Sequence, residues 1–467
     1  MGLSAITPLG RSAHGLQAQA SRSGVSPWHP KTYVIAGGTP LVGTVRVAGA
    51  KNAVTKQIVA TLLCDEPCVL ENVPRTSEVS ATLRMLASLG TQYDWLGPHT
   101  LVLHTPRLAA SGIGGEHERL NRIGLLALAP LLHRAGEAWV PLPGGCAIGS
   151  RQVDFHLAVL SRMGAQVGID GQGFWARGRL RGARVALAYP SVGATENALL
   201  AAVLAPGRTE ILGAAVEPEI RDTIELLGRM GARIEVLPGR RIVVHGVSRL
   251  HGARHRVMAD RTEAASLAMA AAATHGRVEV IGASPRHLAP FLRVFRAVGG
   301  GWHVGRHGLV FVRREGLRPV ALATGPYPAF STDWLPPLVV LLSQARGVSQ
   351  VHETVFEDRL AYAERLGAAG ARLNVSDQCP PGEPCRFAGQ GHFHRCTIHP
   401  GPLHGARLTA PDLRGGFAMV LAGLMAEGTS EIRCVERVER GYEQLPEKLL
   451  ALGADLRVRP EWSTAVA

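Results

Sequence analysis

Six times in this chain an amphipathic helical pattern stops at a glycine and runs directly into a β-rich stretch. The copies read LASLGTQYDWL, LSRMGAQVGI, LGRMGARIEVL, FRAVGGGWHV, LGAAGARLNV and LLALGADLRV. Their terminating glycines, Gly90, Gly164, Gly231, Gly299, Gly370 and Gly453, are separated by 74, 67, 68, 71 and 83 residues. A left-handed residue after the last helical turn is a position that glycine fills at low steric cost, which explains the shared punctuation. A second series interleaves with the first: LLHRAGEAWV, AVLAPGRTEI, AAATHGRVEV, LLSQARGVSQV and LMAEGTSEI, with TLLCDEPCVL as a degenerate first copy. Each unit of about 70 residues therefore holds two helices and several strands, longer than the roughly 20–50 residues of a solenoid repeat. Six such units across residues 31–460 predict an α/β protein with internal pseudo-symmetry, arranged as two domains of three units each.

Length agrees with this division, since 467 residues exceed what one hydrophobic core usually serves. Even the richest helical stretches, such as Ala264–Ala273, fall short of the roughly 20 apolar residues that span a bilayer, so no membrane association is expected. Seven scattered cysteines fit a reducing cytoplasm better than a disulfide framework. The net charge of +13 favours anionic partners, whether nucleic acid or phosphorylated metabolites. Residues 1–30 contain no Asp or Glu and show no apolar periodicity, and they read as a disordered tail.

Several motifs could carry chemistry. PLPGGCAIGSRQVDFH sets Cys146 in a glycine-rich loop with Arg151 five residues on, so that backbone N–H groups and a guanidinium fork could meet a phosphate or carboxylate. Taken alone, a structural cysteine explains that segment as well. RVAGAKNAVTK reads as strand, turn and a helix beginning near Asn52, with Lys51 at the positive end of the helix dipole. Arg122, Arg261 and Arg414 stand at further helix starts, as do Ser191 and Gly193, and Asp333 is the single acid among these positions and a candidate base. If the repeats converge as the symmetry suggests, these helix N-termini face one electropositive cleft. ETVFEDR adds Arg359 and ERGYEQLPEK adds Arg440. The segment Cys379–His399 carries three Cys and three His, but its spacing lacks a CxxC or HxxxH knuckle. It is expected to be an inserted surface loop without a structural metal.

Together GAKNA, PGGCAIGSRQVD, PSVGATEN, EPEIRD, PAFSTDW, HETVFEDR, DLRGGF and ERGYE resemble, in order, the UDP-N-acetylglucosamine 1-carboxyvinyltransferase family of the EPSP synthase superfamily, over about residues 31–458. The resemblance implies a two-domain inverse α/β barrel of six βαβαββ repeats, three per domain. It implies one domain over 51–257 carrying the cysteine loop, and a second from 31–50 and 258–460 carrying the aspartate. It further implies transfer of the enolpyruvyl group of phosphoenolpyruvate to a uridine nucleotide acceptor with release of phosphate, an early step of peptidoglycan synthesis, by a protein needing no metal or organic cofactor and able to work as a monomer. In that pattern Cys146 is the general acid and Asp333 the base. Lys51, Asn52, Arg122, Arg151, Arg414 and Arg440 match the phosphoenolpyruvate site. Asn52, Arg122, Arg151, Val153, Asp154, Ser191, Val192, Gly193, Asp333, Val355 and Arg359 match the nucleotide-sugar site. The chain departs from the family pattern at Ser77, Gln152 and Tyr189, which leaves open both UDP-N-acetylglucosamine and another uridine nucleotide such as UMP. A nucleic-acid-binding role for the basic charge is disfavoured by the retention of the whole donor set.

Overall fold

A computed structural model describes residues 30–115, 122–144, 148–149, 153–380 and 385–460. The tail 1–29, Cys146, Arg151 and Gln152 lie outside the described residues.

The six helix-ending glycines all adopt positive φ, between 88° at Gly370 and 106° at Gly299. Each releases its helix into a strand of a small sheet, and the sheets repeat one plan. A parallel edge pair is followed by two antiparallel neighbours, as in Val42–Arg46 beside Arg277–Ile281, then Gly308–Arg313, then Gly300–Val304. Five sheets have four strands in this arrangement. The sixth, built from Glu137–Pro141, Gly173–Arg177 and Gln166–Ile169, has three, with an isolated parallel bridge from Gly112 to Trp139 where the edge strand stands in the others.

Two helical patterns serve two positions. Helices such as Pro218–Arg229 and Pro285–Val298 alternate buried and exposed positions and cover a sheet on one face. By contrast Lys51–Ala60, Gly124–Ala135, Val192–Ala202, Arg261–Ala273, Leu335–Leu342 and Leu413–Met425 are rich in small and apolar residues and are buried nearly all round. Three of these form the centre of each half, with the sheets outside.

The apolar interior divides into two clusters, one drawn from positions 50–257 and one from 33–47 together with 264–456. The strand Lys31–Ala36 lies between Thr429–Arg433 and Asp455–Pro460, so the start of the described chain is built into the C-terminal half. The chain then crosses at 48–50 and returns at 258–260. These crossings run side by side, with Ala50 N–H donating to the Met258 carbonyl at 2.7 Å and Asp260 N–H to that of Ala48 at 2.9 Å.

Candidate active site

The six central helices begin at one place. Lys51 and Asn52, Arg122 and Ile123, Ser191 to Gly193, Arg261, Ser331 to Asp333, and Asp412 to Arg414 all line a single cavity of about 590 Å³ between the halves. That size suits a small-molecule site, and six N-termini with their unsatisfied N–H groups give it a positive field.

Asp333 is the best-defined group in it. A short 3₁₀ turn over Thr332–Trp334 presents the side chain, with Ser331 Oγ accepting from the Asp333 N–H. Arg359 Nη2 donates to one carboxylate oxygen at 2.6 Å and Arg414 Nε to the other at 3.2 Å. Both guanidinium groups are almost wholly buried, at 2% and 3% exposure, whereas Asp333 keeps 22%. Behind the turn, buried Glu353 accepts from Thr332 Oγ1 at 2.8 Å and from the Val355 and Phe356 N–H groups. Burial pushes its carboxyl above the ordinary value, and Arg359 and these donors oppose that shift. Asp333 is not the single acid at the helix starts, contrary to expectation. Asp260 and Asp412 stand there too, and each caps its own helix, accepting from two backbone N–H groups; Asp260 also accepts from the Lys51 N–H at 3.2 Å, and Asp412 lies 3.8 Å from Arg359 Nη1.

The N-terminal half supplies Lys51, Lys56 and Arg122 together with the carboxylates of Glu78, Glu196, Glu217 and Glu219. Glu78 reaches across the halves to Arg440, accepting from Nη2 at 2.7 Å and from Nε at 3.2 Å. Burial alone would raise its pKa, yet Lys51, Arg440 and Lys56 hold it below the ordinary carboxyl value. Glu219 pairs with Arg261 Nε at 2.9 and 3.1 Å. Glu196 is different: among the described residues neither of its oxygens accepts a hydrogen bond, and the Lys56 ammonium stands 3.8 Å away. Desolvation raises its pKa to about 7, against the pull of Lys56. Desolvation also lowers His156 to about 4, with Arg122 adding to the effect, so this ring is neutral near pH 7. Arg261 Nη1 and Arg414 Nη1 are buried donors without a hydrogen-bond partner among the described residues, a pattern that asks for an acceptor.

Of the residues expected from sequence, Lys51, Asn52, Arg122, Ser191, Val192, Gly193, Asp333, Val355, Arg359, Arg414 and Arg440 line the cavity. Val153 and Asp154 are not among its lining residues. Val153 packs half-buried against the N-terminal core, and Asp154 opens the helix to Arg162 with its side chain exposed. The described edge of the cysteine loop lies against the other half: Asp358 N–H donates to the Ile148 carbonyl at 3.2 Å, and a Cβ on Gly149 would collide with the Glu357 carboxylate. Sequence reasoning did not select Lys56, His156, Glu196, Glu219 or Arg386 for the cavity. The first three lie one helical turn or less beyond residues it did select, a spacing that could have flagged them, and Glu219 lies within the EPEIRD motif itself. Arg386 comes from the insert after Ser376, where its guanidinium stacks 4.9 Å from the Tyr189 ring and lies 3.7 Å from Glu357.

The insert also brings Cys379, Cys385 and His394 together against His352.

Comparison with known proteins converges on one group. The family model for EPSP synthase (3-phosphoshikimate 1-carboxyvinyltransferase) matches residues 35–449. The UDP-N-acetylglucosamine 1-carboxyvinyltransferase of Chlamydia muridarum is 42% identical over 427 residues, covering 90% of this chain and 97% of that one. The protein of the same name from Granulibacter bethesdensis is 41% identical over 425 residues, covering 90% and 98%. Among solved structures, the enolpyruvyl transferase NikO from Streptomyces tendae superposes with a TM-score of 0.80 at 24% identity, covering 92% and 99% of the two chains. EPSP synthase from Acinetobacter baumannii gives 0.71 at 17%, covering 92% and 100%. These two likenesses establish the fold, a two-domain inverse α/β barrel.

Proposed function

The chain belongs to the EPSP synthase family of enolpyruvyl transferases, and from that premise we propose that it transfers the enolpyruvyl group of phosphoenolpyruvate to the 3-hydroxyl of UDP-N-acetylglucosamine, releasing phosphate. The observation that carries this reading is Asp333, fixed between Arg359 and Arg414 where six helix N-termini meet. The named relatives at about 42% identity supply the acceptor. The likeness to NikO is a likeness of fold and gives no support to a different acceptor.

The acceptor oxygen adds to C2 of phosphoenolpyruvate while a proton goes to the C3 methylene, giving a tetrahedral ketal. Loss of phosphate from C2 and of a proton from C3 then restores the double bond. Asp333 removes the hydroxyl proton and Cys146 delivers the proton to C3. A thiol with its ordinary pKa of about 8.5 is mostly protonated near neutral pH, as this role needs. Lys51, Arg122, Arg151, Arg414 and Arg440 bind the phosphate and carboxylate of the donor, where charge-assisted hydrogen bonds offset the desolvation of a polyanion. Asn52 meets the sugar, and Ser191 to Gly193, Val355 and Arg359 line the nucleotide end. No helix is long and apolar enough to cross a membrane among the described residues. A cytoplasmic location and a monomer acting without nucleic acid complete the proposal.

Phosphate release from phosphoenolpyruvate is the direct test, with UDP-N-acetylglucosamine or UMP as acceptor, in wild type and Cys146→Ala. Release with UDP-N-acetylglucosamine that disappears in Cys146→Ala is expected. Release with UMP alone would move the acceptor, and release with neither would remove the proposal. A phosphonate epoxide of the fosfomycin type should add covalently to Cys146 when acceptor is present, as read by peptide mass. An unmodified thiol after prolonged exposure would count against its placement.

A further inference from the structure

Outside the cavity, three side chains of the C-terminal half converge on one point, and a fourth, Cys379, stands beside one of them. His352 Nε2 lies 3.3 Å from Cys385 Sγ, and Cys385 Sγ lies 3.3 Å from His394 Nε2. Cys379 Sγ stands 3.5 Å from that same nitrogen. The ligand atoms of His352, Cys385 and His394 all fall within 4.8 Å of one another. Both histidines are buried and both cysteines partly so.

His394 Nδ1 is set against the His392 carbonyl oxygen, which can only accept, so in the neutral ring Nδ1 carries the proton and Nε2 presents a lone pair toward both thiols. Hydrogen bonds can pair each thiol with one imidazole, whereas a cation would use both sulfurs and both ring nitrogens at once. A ring nitrogen bonded to a backbone carbonyl is also the outer-shell arrangement that orients metal-binding histidines.

The distances agree. With bonds of about 2.3 Å to sulfur and about 2.0–2.1 Å to nitrogen, a tetrahedral zinc site has S···N edges of about 3.5 Å. Two thiolates and two imidazoles are a donor set that suits zinc, and calcium or magnesium would need oxygen ligands. We propose that His352, Cys379, Cys385 and His394 form a structural zinc site. The two thiols give up their protons to solvent as the ion binds.

The position of the site gives it a purpose. Cys379 and Cys385 belong to the insert, while His352 ends the strand Ser349–His352 and His394 precedes the strand Arg395–His399. His394 also accepts from the Glu353 N–H at 2.7 Å, and Glu353 supports Thr332 beside Asp333. Arg386, next to Cys385, lines the cavity. The ion therefore staples the insert to the wall that carries Asp333 and holds Arg386 at the cavity mouth.

Metal analysis of the full-length protein, expressed with zinc and purified without chelator, is expected to give one zinc per chain. After exchange for cobalt(II), the protein should show visible bands of tetrahedral intensity and a sulfur-to-metal charge-transfer band in the near ultraviolet. Cys385→Ser and His394→Ala should lower zinc affinity by more than the roughly 10–100-fold that loss of an outer-shell partner costs. Cys379→Ser, at the ligand that stands beside His394 alone, should retain a weaker site, and Cys434→Ser should change nothing. The proposal is overturned by folded wild-type protein that neither carries zinc nor takes up cobalt, by a Cys379–Cys385 disulfide in the peptide map, or by a cobalt spectrum unaltered in Cys385→Ser. The wild-type measurements decide the matter even if a variant fails to fold.

Discussion

The two halves share a frame of three sheets around three buried helices, yet they handle buried charge in opposite ways. In the C-terminal half the cavity aspartates are committed. Asp333 lies between two arginines, and Asp412 caps its helix. In the N-terminal half, Glu196 receives no hydrogen bond among the described residues, and Glu217 is bonded through one oxygen only. One half is pre-organised, with its geometry fixed before any ligand arrives. The other keeps groups whose charge is still free to respond. The difference sets the proposed base in the first half and the carboxylates most sensitive to conditions in the second.

The largest expected effect tests the pre-organised half. Asp333→Asn preserves shape and removes the proposed base, and it leaves Arg359 and Arg414 facing an amide that can accept through one oxygen only. Phosphate release should fall by roughly 10²–10⁴, the usual contribution of general acid–base catalysis. A loss below about tenfold would mean that the arginine clamp serves structure and that the base lies elsewhere.

A smaller effect is expected where the halves meet. Arg440→Lys retains the charge but loses the two-pronged bond to Glu78 and the fork proposed for the donor carboxylate. The KM for phosphoenolpyruvate should rise roughly 10–100-fold, the equivalent of about 1.5–3 kcal/mol for a hydrogen bond to a charged group. The KM for the acceptor should move less. Equal changes in both would indicate that the Glu78 pair sets the relation of the halves instead of recognising the donor.

The responsive half is tested by pH. The folded pKa of Glu196, about 7, stands above its ordinary value of 4.5. The folded state therefore binds this proton more tightly than the unfolded chain. The stability it contributes is complete below about 4.5 and is lost as pH rises through about 7. Relative to Glu196→Gln, which stays neutral, the wild-type thermal midpoint should fall between about pH 5 and 8. Parallel curves for the two proteins would show that Lys56 keeps Glu196 ionised throughout.

How much of this was legible in the sequence follows from which features are local. Helix ends at Gly90 through Gly453 depend on the chain's own sterics and could be read directly. So could the helix starts at Lys51, Arg261 and Arg414, because the onset of a small, apolar run marks where each buried helix begins. The convergence of those starts required the pseudo-symmetry to be taken seriously as geometry. Pairings over long separations were hidden, such as Arg440 with Glu78 and Arg386 with Tyr189, because nothing in either partner's neighbours encodes the other. The Cys379–His394 cluster was hidden for the same reason. Its fourth member, His352, comes from a strand 27 residues before Cys379, and spacing rules for compact knuckles do not see it.

The smallest expected effect asks whether the shared frame is equivalent in the two halves. Gly164 and Gly453 end corresponding helices at φ values of 102° and 93°. A Cβ at either would meet nothing nearer than 3.5 Å, so Ala costs only the left-handed backbone, about 1–2 kcal/mol in each half. Gly90 has the same conformation, but a Cβ there would come within 2.8 Å of the Arg107 carbonyl, and Gly90→Ala should cost more than either. Gly228 lies inside the helix Pro218–Arg229 with open space around it, and Gly228→Ala should stabilise by up to about 1 kcal/mol. Denaturation midpoints of these four variants therefore separate backbone cost from steric cost. Equal losses at Gly164 and Gly453 would mean that the repeat is energetically as well as geometrically symmetric. Unequal losses would place the asymmetry of the halves in their frame as well as in their cavity charges.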